Sequence, residues 1–235
     1  MPRKNHDRTH TFDSAEIEAE VITFTSAALD GLAAFISPFV DHISQNLSIY
    51  STLMAEIISA EQRGTLSIPI VQYDQTTDLP YFMACVNETL RLESPAQTIL
   101  PRYISPGGLD LGSSIVPAGA EMAASPFIIH RNQTIFGEDA HVFRPERWLE
   151  SKERSQKMEK YGMWWGYGDR KCAGKNFAQL QMQKLCLQLF REFEIETAIP
   201  EKRFTHKRWA VGMFWDQSLR FRERKRSAAV PLART

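Results

Sequence analysis

Cysteine and net charge are both scarce in this sequence of 235 residues. Its three cysteines are Cys85, Cys172 and Cys186, and none of them forms a CxxC pair. An odd number without that spacing argues against a disulfide framework and against a zinc finger. The 28 basic and 28 acidic residues give a formal net charge of zero, which does not favour nucleic acid as a partner.

Long apolar runs are also lacking. Residues 1–14 form a polar segment without the apolar core of a signal peptide, and no run of 18 apolar residues predicts a membrane span. We therefore expect an intracellular, cytoplasmic protein. Hydrophobic residues make up 43% of the chain, so we expect one domain with a buried core over residues 15–225, followed by a tail over residues 226–235.

Apolar residues recur every three or four positions over much of the chain, which predicts a mainly α-helical protein with a small β part. The first such stripe covers residues 17–43. It predicts a long helix that is capped by Asp13 or Ser14 and loosened at Pro38. Further helices are predicted over residues 50–58, 80–94 and 175–193.

The remaining segments predict strands and irregular structure. A strand is predicted over Thr98–Ile104, and a hairpin that turns at Pro117–Gly119. A short helix is predicted at Phe127–His130, and two short strands between Ala198 and Phe221. No period holds from His141 to Gly168, which predicts a long irregular segment, and loops of that length in a compact domain are usually functional.

The stretch WWGYGDRKCAGK places one cysteine in a glycine-rich loop before a helix. Its glycines allow positive φ angles and close approach of a flat group: Gly166, Gly168 and Gly174. The helix N-terminus and nearby cations favour a thiolate at Cys172. A single soft ligand of this kind is typical of haem iron, with Arg170 placed for a propionate. The alternative is a buried, inert cysteine, which the combination of glycines, arginine and aromatic residues disfavours.

Three motifs carry a resemblance to one family. Trp165–Gly174 resembles the haem-binding signature of the cytochrome P-450 family, aromatic-x-x-Gly-x-Arg-x-Cys-x-Gly, with Trp165 at the usual phenylalanine. Glu88–Arg91 resembles the family's E-x-x-R helix. Phe143–Trp148 resembles its P-E-R-F segment, with tryptophan again replacing phenylalanine. The chain is similar to fungal microsomal members and matches the C-terminal half of the family fold.

The resemblance implies haem b as the cofactor, with Cys172 as the axial ligand of the iron. The residues implied to surround the haem are Trp165, Gly166, Gly168, Arg170, Gly174 and Arg102, and the two arginines would meet propionates. It also implies a buried triad of Glu88, Arg91 and Arg147 that pins the irregular segment against its helix. The alternative for the pair on the helix is an exposed ion pair of little energetic weight.

The resemblance assigns substrate contacts less firmly. Residues after the E-x-x-R helix would face substrate: Gln97, Thr98, Ile99 and Leu100. For this stretch the alternative is an ordinary strand with an exposed arginine, which the resemblance disfavours. Met213 and Phe214 near the C-terminus would also face substrate, although a plain hydrophobic strand explains that second stretch equally well. For His130, helix capping, packing and haem contact all remain open.

The first predicted helix corresponds to the family's distal helix, which crosses the oxygen site. Asp30 keeps the acid of the family motif, but Gly31 replaces the alcohol that usually assists proton delivery. These two are the implied catalytic residues. Loss of the alcohol leaves a water or a substrate hydroxyl as the proton donor.

The resemblance implies the elements of half a fold: distal helix, E-x-x-R helix, small sheet, meander, cysteine loop and proximal helix. We expect a haem-thiolate monooxygenase, possibly a truncated one, that acts on a small lipophilic or secondary-metabolite substrate. Electrons would come from NADPH through cytochrome P-450 reductase, with cytochrome b5 as a further partner. Full-length relatives are often anchored on the endoplasmic reticulum. The alternatives are a non-catalytic remnant and an oxygen-independent haem-thiolate enzyme. As half a fold, the chain should expose apolar faces on its first helices.

Overall fold

The computed structural model describes residues 12–199, 205–208 and 211–224. The polar segment 1–14 therefore lies largely outside the described residues, and the tail 226–235 lies wholly outside them. The described part contains eight α-helices: α1 (Ser14–Ser44), α2 (Leu47–Gln62), α3 (Tyr73–Thr77), α4 (Pro80–Leu92), α5 (Pro126–Ile129), α6 (Gln133–Phe136), α7 (Lys152–Tyr161) and α8 (Lys175–Glu192). Two 3-10 turns cover Pro145–Trp148 and Gly168–Arg170.

The described strands form four antiparallel pairs. The strands are β1 (Leu100–Tyr103), β2 (Leu109–Asp110), β3 (Ile115–Val116), β4 (Glu121–Ala124), β5 (Phe193–Thr197), β6 (Thr205–Arg208), β7 (Gly212–Trp215) and β8 (Leu219–Glu223). β1 pairs with β4, β2 with β3, β5 with β8, and β6 with β7. The prediction of a mainly α protein with a small β part is confirmed.

Helix α1 begins with a complete capping box, as its sequence predicts. The Asp13 carboxylate accepts from the Glu16 amide at 2.9 Å, and the Glu16 carboxylate accepts from the Asp13 amide at 3.0 Å. These bonds satisfy amide groups that have no partner within the helix. The helix continues through Pro38 to Ser44.

The core forms where the C-terminal part of α1 meets α2, α4 and α8. Phe39 of α1 makes edge contacts with Phe82 of α4 and Phe190 of α8, at centroid distances of 6.0 and 5.9 Å. All three rings are fully buried. Burial of such rings supplies most of the free energy that fixes these helices together.

The N-terminal part of α1 has a different environment. Ile17 is 51% exposed and Phe24 is 63% exposed, as expected for a helix whose apolar face lacks a partner. By length and composition α1 could also cross a membrane, with a mean hydropathy of 1.4 over its most apolar 18 residues. The sequence contains no unbroken run of 18 apolar residues, as stated above, but α1 passes this test because scattered small and hydroxyl residues lower the mean hydropathy only slightly. Only 11% of that window is buried, whereas residues 34–43 of α1 lie largely in the core.

Two predictions of local structure are wrong. The segment 141–168 is not irregular throughout, because it contains the 3-10 turn at 145–148 and α7. α7 is held by its Ser151 cap and buries only Met158, so it carries no apolar stripe that a periodicity could reveal. The region 198–221 contributes to three strands rather than two, and β5 begins directly at the end of α8.

The predicted hairpin at 117–119 also differs. β3 and β4 flank the turn but do not pair with each other. The Ile104 amide donates to the Ala120 carbonyl at 2.9 Å, and the Gly119 amide donates to the Ile104 carbonyl at 3.0 Å. The chain after the turn therefore pairs with β1, which leaves β3 to pair with β2.

Candidate functional site

The first part of the site is a buried carboxylate between two guanidinium groups. Glu88, Arg91 and Arg147 are all fully buried. Arg91 donates to both carboxylate oxygens of Glu88, at 2.8 and 2.7 Å, because residues three apart share a face of α4. Arg147 Nε donates to the same carboxylate at 3.0 Å. The structure thus brings the three predicted residues together, and the alternative of an exposed ion pair does not hold.

Both guanidinium groups use all their donors. Arg91 donates its remaining N–H groups to the carbonyls of His130, Ala140 and Val142, at 2.7, 2.6 and 3.1 Å. Arg147 donates to the carbonyls of Phe136, Asp139 and Val142, at 2.5, 3.0 and 3.1 Å. A guanidinium has five N–H donors, and each of these two makes five hydrogen bonds with Glu88, Asp139 and these carbonyls. Two side chains from distant elements therefore hold the backbone of residues 136–142 in place.

A second carboxylate balances the second arginine. Asp139 accepts from Arg147 Nη1 at 2.9 Å and from Arg144 Nε at 2.5 Å. Partial burial opposes ionisation of Asp139, but these two hydrogen bonds outweigh it and lower its pKa to about 2. Arg144 also binds Glu150 at 2.6 Å. Buried charges are tolerated when each is paired, and the cluster meets that condition.

Trp148 is a member of this cluster that the sequence did not reveal. Its indole N–H donates to Glu88 Oε2 at 3.0 Å, and the Arg144 amide donates to Glu88 Oε1 at 2.8 Å. The family motif has phenylalanine at this position, so the tryptophan reads from sequence as a simple exchange of one aromatic for another. The available signal was the indole N–H, which needs a partner when it is buried.

The second part of the site is the cysteine loop. Gly166 and Gly168 have φ angles of +71° and +66°, in the left-handed region that favours glycine. The Cys172 amide donates to the Trp165 carbonyl at 2.7 Å, which closes the loop. Gly174 differs from the expectation: it caps α8 at φ −85° and has no positive φ. A Cβ at Gly174 would lie 4.0 Å from the Cys172 sulfur, which is an ordinary van der Waals contact.

The donor set of this loop fits a haem. Cys172 is exposed, whereas Cys85 and Cys186 are buried. Burial raises the pKa of the Cys85 thiol and of the Cys186 thiol, so neither is a good thiolate ligand. Among the described residues, no cluster of three His, Cys, Asp or Glu side chains could hold a metal ion. One accessible thiol without further side-chain ligands suits a metal whose other ligands come from a macrocycle.

The two arginines predicted to meet haem propionates lie near the loop. Arg102 is exposed on β1 and donates to the Tyr167 carbonyl at 3.4 Å and to the Pro101 carbonyl at 2.7 Å. Arg170 is exposed at the end of the second 3-10 turn. Trp165, at the start of the loop, packs against the main core. β1 and the loop are therefore neighbours, with both cations accessible to an anionic group.

The predicted substrate residues divide by burial. Gln97 is buried, and neither atom of its amide has a hydrogen-bond partner within the described structure. Thr98 and Ile99 are exposed, while Leu100 begins β1 and is partly buried. Met213 and Phe214 lie on β7, where the Phe214 ring stacks on the His206 ring of β6 at 4.3 Å. An isolated bridge between residues 96 and 211 joins these two groups.

The two residues of the predicted distal helix lie at the border of its exposed part. Asp30 is exposed, and Gly31 is partly buried. A Cβ at Gly31 would meet no atom within 4 Å, so this position leaves open space on the helix surface.

Comparisons with known proteins agree with these motifs. A sequence model of the family described as Cytochrome P450 matches residues 1–214. Cytochrome P450 monooxygenase cicH from Emericella nidulans is 37% identical over 186 residues, which are 79% of this chain and 37% of that protein. Quiannulatic acid synthase from Emericella variicolor is 37% identical over 67% of this chain and 31% of its own length. Cytochrome P450 monooxygenase cfoH from Aspergillus candidus is 32% identical over 94% of this chain and 42% of its own length.

A solved structure shares the fold. It is described as the crystal structure of a cytochrome P450 (CYP102L1), and it superposes with a TM-score of 0.74 at 24% identity. The match covers 91% of this chain and 47% of that one. The chain thus spans less than half the length of these relatives and of the solved structure. Because the family model matches residues 1–214, and the motifs of the buried triad and the cysteine loop lie within that range, the chain belongs to the cytochrome P450 family.

Proposed function

We propose that the protein is a haem-thiolate monooxygenase and that Cys172 is the axial ligand of its haem iron. Family membership implies haem with cysteine thiolate ligation in general. The observation that supports the assignment to this residue is its exposure on a closed glycine loop, while the other two thiols are buried. A bound haem with a thiolate ligand supplies activation of dioxygen and insertion of one oxygen atom into a substrate.

The chain's own residues would bind and orient the haem. Arg102 and Arg170 would contact its propionates, since guanidinium groups pair well with carboxylates. Trp165 and the glycines at 166, 168 and 174 would let the backbone approach the macrocycle. The buried triad would act at a distance by fixing the segment that leads to the loop. Asp30 would hold a proton near the distal face, and the open space at Gly31 would admit a water in place of the usual alcohol.

The substrate in this proposal is a small lipophilic compound of secondary metabolism. Two of the relatives are fungal proteins named cytochrome P450 monooxygenases, and another is named for the synthesis of quiannulatic acid. Gln97, Thr98, Ile99 and Leu100 would line the substrate side together with Met213 and Phe214. NADPH would supply electrons through cytochrome P-450 reductase, with cytochrome b5 as a further partner. We propose a cytoplasmic location for the protein, with the exposed apolar part of α1 as a candidate contact to a membrane surface.

One observation favours a second candidate. Gly31 lacks the alcohol of the family motif, and nothing lies within 4 Å of the position where its Cβ would be. An oxygen-independent haem-thiolate reaction, such as a rearrangement or a dehydration, does not need that alcohol. Consumption of dioxygen in step with substrate turnover would separate the two, because only the monooxygenase uses it.

The spectrum of the reduced, carbon monoxide-bound protein tests the ligand assignment. We expect the band of a thiolate-bound haem from the wild-type chain and from Cys85→Ala and Cys186→Ala. We expect Cys172→Ala to lose it. Equal loss in Cys186→Ala would contradict the assignment, and absence of the band in the wild-type chain would contradict haem-thiolate function for this chain.

A further inference from the structure

His130 lies between the buried triad and the cysteine loop. It is fully buried at the end of α5, and its carbonyl accepts from Arg91 at 2.7 Å. The imidazole Nε2 accepts from the Met163 amide at 2.8 Å. The backbone of His130 therefore binds the triad, and its side chain binds the segment that leads into the loop.

Backbone hydrogen bonds continue this connection to the cysteine. The Gly166 amide donates to the Met163 carbonyl at 2.9 Å, and the Cys172 amide donates to the Trp165 carbonyl at 2.7 Å. The Trp164 ring packs against the imidazole at a centroid distance of 5.2 Å. The Met163 amide is thus one point where the segment before the loop is attached to the buried frame, by which we mean Glu88, Arg91 and Arg147 with the backbone that they hold.

The state of the imidazole agrees with a role as acceptor. Burial, together with the charge of Arg91, lowers the pKa of His130 to about 3, so the ring is neutral at neutral pH. A neutral ring that accepts at Nε2 carries its proton on Nδ1. That atom is buried and has no hydrogen-bond partner in the described residues. The ring is therefore oriented so that Nε2 accepts from the Met163 amide, while the N–H group at Nδ1 is left without a hydrogen bond.

We propose that His130 is a positioning residue of the haem-thiolate site. Its Nε2 atom accepts a hydrogen bond from the Met163 amide and so fixes the loop that presents Cys172. The inference deepens the proposed function and rests on it. The sequence left capping, packing and haem contact open for His130, and the hydrogen bond to Met163 is a fourth role that it did not indicate. The requirement is an acceptor at the position of Nε2, and a glutamine side chain can place its Oε1 there.

The first test uses the full 235-residue chain without haem. Amide hydrogen exchange at Met163 is measured in the wild type, in His130→Leu and in His130→Gln, with α4 amides as the internal reference. Loss of one hydrogen bond should speed exchange at Met163 by roughly tenfold in the leucine variant, while glutamine keeps most of the protection. Unchanged protection in His130→Leu, or glutamine exchange as fast as leucine exchange in a folded protein, would overturn the proposal.

The second test uses the haem-loaded chain. The fraction of reduced, carbon monoxide-bound haem with the thiolate band should fall in His130→Leu and recover in His130→Gln. Should His130→Leu fail to fold, the glutamine variant still decides, since a folded His130→Gln without protection at Met163 contradicts the inference. If the wild-type chain gives no thiolate band, the proposed function is wrong, but the exchange result still tests the attachment of the loop.

Discussion

The buried triad and the cysteine loop are built in opposite ways. Around Glu88, two fully buried guanidinium groups make ten hydrogen bonds. The loop leaves Cys172 exposed, and a few backbone bonds define its shape. A buried polar group without a hydrogen-bond partner costs about 1–3 kcal/mol. Other arrangements of the triad would leave such groups unpaired, so this cost fixes the arrangement that is observed. An accessible ligand cannot be fixed in this way and depends on a frame elsewhere in the chain.

Removal of the central charge should have the largest effect on that frame. In Glu88→Gln, Arg91 keeps no buried carboxylate partner and Arg147 keeps only Asp139. An uncompensated buried charge costs about 3–5 kcal/mol. We expect that loss in the free energy of unfolding, measured by urea denaturation.

An exposed ion pair provides the matched control for this change. Arg222 and Glu196 pair across β8 and β5 at 3.6 Å, and both side chains are about half exposed. Glu196→Gln should cost less than about 1 kcal/mol, because water replaces the lost partner. Equal losses from the two substitutions would show that the triad is not buried in solution.

Replacement of Trp148 by phenylalanine should weaken the frame by a smaller amount. Trp148→Phe keeps an aromatic ring but removes the indole N–H that donates to Glu88 at 3.0 Å. Hydrogen bonds to charged groups contribute about 1.5–3 kcal/mol, and four other donors remain on this carboxylate. Urea denaturation should show a loss at the lower end of that range. A more stable Trp148→Phe variant would mean that the indole hydrogen bond to Glu88 does not stabilise the folded protein.

The connection between the two regions should respond to pH. The pKa of His130 lies near 3 in the folded protein, below its ordinary value of 6.5. The unfolded chain therefore binds more protons between these values, and stability falls as the pH falls from about 6.5 toward 3. His130 alone should contribute about 1 kcal/mol of loss from pH 6 to pH 5. The same urea series on His130→Gln should lack this part of the slope, and identical slopes would contradict the low pKa.

The cysteines should show the smallest effects on stability. Cys172→Ala removes an exposed thiol, so the free energy of unfolding of the haem-free chain should change by less than about 0.5 kcal/mol. Cys186→Ala leaves a cavity beside α8 and should cost about 1 kcal/mol. Thermal unfolding of both variants measures the difference. A larger loss from Cys172→Ala would show that the loop supports the fold as well as displaying a ligand.

Much of this fold could be predicted because the relevant signals are local. The cap of α1 lies in four consecutive residues, and the apolar stripe follows directly. The spacing of Glu88 and Arg91 places both on one helical face. Their pairing with Arg147 came from the resemblance to the family, since 56 residues separate Arg91 from Arg147 and no periodicity connects them.

Other features depend on contacts between distant segments. The choice of β1 as the partner of β4 follows from the chain path near Ile104, which strand propensity does not encode. The carbonyls that accept from Arg91 and Arg147 have no side-chain signature at all. His130 could be a cap, a packing residue or a ligand contact until Met163 is placed beside its Nε2 atom. Only the folded chain distinguishes such alternatives.

Helix α1 has an exposed N-terminal half and a buried C-terminal half. This difference determines where the helix should begin to form. An isolated helix of this length nucleates poorly in water, because the first turn fixes several residues for one hydrogen bond. The turns around Phe35 and Phe39 are already ordered by the core, so they act as the nucleus. The solvated turns toward Asp13 then need only propagation, one residue at a time. Fraying should begin at the capping box and stop where the side chains enter the core.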